Sequence, residues 1–98
     1  MEFLLDCGIS EESVKKAVVN NSEQTILDAE WNMDRVVSSI NYLNEIGIKQ
    51  IDKILINRFD ILLRGRNNLE KLFSKLELKK VINLINKDIK YIYYLDIY

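Results

Sequence analysis

The chain contains no proline, no histidine, one cysteine and only three glycines among its 98 residues. With so little glycine and no proline, turn-rich all-β folds lose most of their punctuation. The absence of histidine removes Ser-His and Cys-His nucleophile pairs, His-ligated zinc and the usual general base. Lone Cys7 excludes an intramolecular disulfide framework and suits a reducing compartment. Long apolar runs are missing too. The longest stretch without a formal charge, residues 36–44, falls far short of the roughly 20 residues that cross a bilayer. The opening MEFLLDCG carries Glu2 and Asp6 where a signal peptide would have basic residues. No membrane association is expected, and the location implied is cytoplasmic.

What is present is a globular mixture, 48% hydrophobic and 30% charged, of a length that makes one small domain. Ile, Asn and Lys number 14, 10 and 10 against four Arg and two Ala, the usage of an AT-rich genome such as that of a low-GC bacterium. The net charge of −1 conceals a division. Residues 1–48 hold three basic and nine acidic residues, and residues 49–98 hold eleven basic and six acidic. Such asymmetry marks a polyanion-binding surface, two surfaces that attract each other, or a solvated coat whose lysines fall late.

Apolar residues recur at helical spacing almost throughout. Ser10, followed by Glu11 and Glu12, starts a helix to about Asn20 with Val14, Ala17 and Val18 inward. Ser22 and Glu23 begin a short turn carrying Ile26 and Leu27. Residues 32–46 form a longer helix with Met33, Val36, Val37, Ile40, Leu43 and Ile46 on one stripe, terminated by Gly47. Residues 49–57 place Ile51, Ile54 and Leu55 on one face, 59–63 add a short apolar turn, and Gly65 breaks it. Asn67 or Asn68 caps the next helix, with Leu69, Leu72, Phe73 and Leu76 inward. Segments 81–86 and 89–95 follow. The terminal KYIYYLDIY has strand propensity but no partner strand, so it is read as helix.

Internal similarity organises these segments. Residues 8–27 resemble 47–63, setting Val14, Ala17, Val18 and Asn20 over Ile51, Ile54, Leu55 and Asn57. Residues 81–94 form a third copy over 51–64. One unit cannot bury its own stripe, so neighbours stack into a shared core. The expected fold is all-α: about seven helices in a short helical repeat, either an αα-superhelix or a compact bundle. The three units fall near 4–46, 47–76 and 77–98.

The stretches YLNEIGIKQIDKILINRFDILL (42–63) and LLDCGISEESVKKAVVNNSEQTIL (4–27) resemble mitochondrial transcription termination factor repeats. In both, a leucine-bearing segment reaches a Gly-Ile pair, and two short helices follow. The likeness covers nearly the whole chain. At the family's usual proline, which opens the second short helix, this chain has Ser22, Phe59 and Ile89. The resemblance implies an α-helical superhelix that binds nucleic acid.

Catalytic chemistry has little to build on. The carboxylate pairs Glu11/Glu12 and Asp28/Glu30 fall in helix-start or loop contexts, and the glycines stand isolated, so no phosphate loop forms. No enzyme activity, cofactor, metal or small-molecule substrate is expected. Cys7 reads as a small buried hydrophobe. Arg58, Arg64 and Arg66 bracket a turn, and Lys71 and Lys75 sit four apart on an outward helix face, extended by Lys79 and Lys80. These five, Arg58 to Lys75, either contact DNA or RNA phosphates or, offset by Glu70 and Glu77, keep the helix soluble. Tyr42, Phe59 and Phe73 fall on inward stripes, while Trp31 covers a helix end or stands exposed. Four tyrosines crowd the C-terminal segment, and Tyr91, Tyr94 and Tyr98 are candidate anchors for a protein interface. The reading favoured is a non-enzymatic module for protein association, with itself or a partner. The alternative is a nucleic-acid-binding module using the basic half.

Overall fold

Two serines start the first long helices. In a computed structural model, which describes residues 2–93, Ser10 Oγ accepts from the Ser13 N–H at 3.2 Å and Ser22 Oγ from the Thr25 N–H at 3.1 Å. Each hydroxyl satisfies a donor that the first helical turn leaves without an internal partner. The caps launch α2 (Glu11–Asn20) and α3 (Glu23–Trp31), after the single turn α1 (Phe3–Asp6). α4 (Met33–Glu45), α5 (Ile51–Asn57), α6 (Phe59–Leu62), α7 (Arg66–Ser74) and α8 (Leu78–Lys87) follow, then a 3-10 turn at Ile89–Tyr93. The described residues are all-α, without a strand. Segment 94–98 lies outside them. None of these helices is long and apolar enough to cross a membrane.

Like packs on like. The most extensive helix pair within the core is α2 with α5, the first helices of the two best-matched copies, and α4 likewise packs on α7. Asparagines join one copy to the next. Asn20 Nδ2 donates to the Ile56 carbonyl at 2.7 Å, and Asn21 Nδ2 reaches the Leu55 and Ile56 carbonyls at 3.3 Å. One step later, Asn86 accepts from the Lys49 N–H and donates to the Gly47 carbonyl, both at 2.8 Å. A radius of gyration of 12.6 Å matches the value of about 13 Å for a compact 100-residue domain. The helices therefore close into a compact bundle.

The core holds the expected stripes. Val36, Ile40 and Leu43 of α4, Ile54 and Leu55 of α5, Leu62 of α6, Leu69 of α7 and Ile85 of α8 are all fully buried. Two inward assignments are corrected: Val18 and Met33 stand 44% and 47% exposed, and Leu27 of α3 is 50% exposed as well. α2 turns Ala17 fully into the core and α3 turns in Ala29. A helix meeting its neighbour through alanine buries a narrow stripe, so flanking large side chains stay in water.

The start of α7 is also corrected. Neither Asn67 nor Asn68 caps it. α7 begins at Arg66, and α4 supplies the caps. The Gly65 N–H donates to Ser39 Oγ at 2.9 Å and the Arg66 N–H to Ser38 Oγ at 3.3 Å. Both hydroxyls donate back to the Arg35 carbonyl, at 2.8 Å from Ser38 and 3.0 Å from Ser39. Ser39 is fully buried. Ser39→Ala orphans a buried N–H, so a loss of about 1–3 kcal/mol is expected in chemical denaturation. A variant as stable as the parent would contradict the cap.

Candidate functional site

The basic residues singled out from the sequence separate into two groups. Arg58 forks onto its near neighbour Asp60, Nε to Oδ1 at 3.0 Å and a terminal nitrogen to Oδ2 at 2.9 Å. Arg66 donates to both carboxylate oxygens of Glu45, at 3.0 Å for one of them, and through Nε to Glu70 at 2.9 Å. Its guanidinium lies 5.6 Å from the centre of the Tyr42 ring, which itself leans on Phe73 with ring centres 6.0 Å apart. The Arg66 hydrogen bond holds the Glu45 carboxyl below its ordinary pKa. Burial, and then Glu70, push the Tyr42 phenol up. Arg66 thus joins the end of α4 to the start of α7, while the Arg58–Asp60 pair is local. A phosphate would have to displace a carboxylate from either arginine.

Arg64, Lys71 and Lys75 make no ion pair among the described residues. They line a pair of adjoining hollows beside α7, one of about 670 Å³ and one of about 320 Å³, that share Arg64, Asn68 and Lys71. Arg35 of α4, far from them along the chain, also lines the larger hollow. The tyrosine anchors fare differently. Tyr91 is half-buried and packs against the core. Tyr94 and Tyr98 lie outside the described residues.

A larger apolar exposure lies elsewhere. Trp31 ends α3 and is 85% exposed. Leu27 precedes it by four residues and so shares its face. Met33, half-exposed, lies just beyond, and a notch of about 370 Å³ runs along residues 31–35. α3 touches the rest of the bundle mainly through α4 and buries only Ala29 fully. Acidic residues predominate around this face: residues 17–34 contain Glu23, Asp28, Glu30 and Asp34 and no lysine or arginine, and Arg35 is the one cation lining the notch. The signal was present in the sequence, in an acidic run without cations and in a helix whose inward positions offer one alanine.

Elsewhere the chemistry is quiet. No cluster of three or more metal-ligating side chains occurs among the described residues. Cys7 is part-buried, and its Sγ donates to the Phe3 carbonyl at 3.6 Å. Burial, with the Asp6 carboxylate adding to it, pushes the thiol above its ordinary pKa. Since the thiolate is the nucleophile, alkylation of the native chain is expected to reach half its limiting rate at a higher pH than alkylation of the unfolded chain. Coincident midpoints would contradict this. Comparison with protein-family profiles, with curated proteins and with solved structures finds no match for this chain.

Proposed function

We propose that this chain is a non-enzymatic association module whose α3 face docks a basic, amphipathic helix of a partner protein. The observation that carries the reading is Trp31, 85% exposed beside Leu27 on a helix that its own fold scarcely covers. Isolated apolar residues on a surface need no explanation, but a tryptophan, a leucine and a methionine grouped in one place mark interaction sites. Tryptophan in particular dominates binding energy where it is buried by a partner. Charge selects the occupant. Two copies of this face would set Glu23, Asp28 and Asp34 against their own kind with only Arg35 to offset them, whereas lysines flanking an apolar stripe complement the acidic excess.

The nucleic-acid alternative, implied by the repeat resemblance, asks Arg58 and Arg66 to reach phosphates while both are held by carboxylates. A net charge of −1 also gives a polyanion no long-range pull. The association reading is tested with a synthetic Leu/Lys heptad peptide and its Leu/Glu counterpart, followed by calorimetry and sedimentation. The Lys peptide is expected to bind a monomeric chain, more weakly at high salt, and the Glu peptide to be ignored. Leu27→Ser with Trp31→Ser should weaken binding at least about tenfold without unfolding the chain. Equal binding of both peptides, or dimerisation of the chain through this face, would overturn it.

A further inference from the structure

Four cations beside α7 make no ion pair among the described residues, and the cleft they border meets the α3 face only at Asp34 and Arg35. Arg35, Arg64 and Lys71 line one concavity of about 670 Å³ between α4 and α7, and Lys75 borders its smaller neighbour. No carboxylate pairs with any of the four among the described residues, whereas Arg66, which also lines the concavity, is held by Glu45 and Glu70. The floor of the concavity is Gly65. A Cβ placed there would stand 2.9 Å from Arg35 Cγ and 3.5 Å from its Cδ. Glycine at this position therefore leaves room for the Arg35 stem to lie down across the start of α7. Ser38 and the first residues of α7, Asn67 and Asn68, complete a polar wall. The positive end of the α7 dipole adds to a field that the cations already set.

We propose that this cleft binds the dianionic phosphate of a phosphate monoester, either of a small molecule or of a phosphorylated side chain. Two arginines can fork onto phosphate oxygens while the lysine neutralises them as a point charge. The arrangement favours a compact anion over a nucleic-acid backbone. Arg35, Arg64 and Lys71, without ion pairs among the described residues, converge with the carboxylate-held Arg66 on one hollow instead of following a ridge.

The test is an amide NMR titration of the full chain with inorganic phosphate and with a short phosphoserine peptide, at constant ionic strength set by chloride. Saturable shifts are expected at Gly65, Arg66, Asn67 and Asn68 with both probes. A small-molecule site binds inorganic phosphate as well as the peptide, and a side-chain site favours the peptide. Arg64→Gln with Lys71→Gln should weaken binding at least about tenfold with the melting temperature unchanged, and Arg64→Lys should restore part of it. Leu27→Ser, remote from the cleft, should leave phosphate binding intact even if the α3 reading fails. Shifts no larger than chloride alone produces would overturn the proposal. So would shifts that survive the double variant, or duplex DNA that binds more tightly than either probe.

Discussion

Ile54→Ala is expected to remove about 2–5 kcal/mol of folding stability, from a total of about 5–15 kcal/mol for a domain of this kind. Ile54 is fully buried in α5, the helix that packs most extensively with α2. Truncation loses the transfer free energy of the side chain and leaves a cavity that the bundle fills only in part. The urea midpoint should fall sharply while the slope of the transition stays unchanged. Val18→Ala is the matched control. Val18 aligns with the fully buried Leu55 in the repeat register, yet it is 44% exposed, so its loss should cost no more than about 0.5 kcal/mol. A silent Ile54→Ala would mean that the shared core does not run between these copies.

Gly65→Val should be as damaging, for two separable reasons. Gly65 has φ 84° and ψ 159°, a region open essentially to glycine alone. The new Cβ would also meet Arg35 Cγ at 2.9 Å. Backbone strain and overpacking together predict a loss of about 2–5 kcal/mol. Because the Gly65 N–H is the donor to buried Ser39, a shifted backbone would release the α7 cap as well. Gly47 separates the causes. Its φ of +95° imposes the strain, but a Cβ there meets only Ile82 Cγ2 at 4.0 Å. Gly47→Ala should therefore cost less than Gly65→Ala, and Arg35→Ala should rescue part of the second substitution and none of the first. Equal costs at both glycines would remove the steric part of the account.

The fold was legible where chemistry is local. Ser10 and Ser22 cap by bonds to residues three positions on, and Gly47 and Gly65 end segments through their own backbone. Wide apolar stripes also read correctly, as in Val36, Ile40 and Leu43. What could not be read depends on partners far along the chain. The α7 cap comes from Ser38 and Ser39, more than twenty residues away, so spacing alone favoured Asn67 or Asn68. Arg66 looked free because Glu45 joins it only once α4 and α7 meet. Arg35, in the acidic half, reaches the basic cleft for the same reason. Leu27 and Met33 match a helical period, but period cannot say that α3 presents alanine inward and leaves Leu27 outside, or that Met33 opens α4 facing water.

Trp31 is the chain's single tryptophan and reports directly on the face proposed to bind. Its emission can be followed while the Leu/Lys heptad peptide is titrated into the free chain. Emission of the free chain should be that of a hydrated indole, open to acrylamide quenching. As the peptide saturates, it should move to shorter wavelength and become shielded, while the Leu/Glu peptide leaves it unchanged. An indole already shielded in the free monomer, or one whose emission does not respond to saturating Lys peptide, would contradict the assignment of α3 as the docking face.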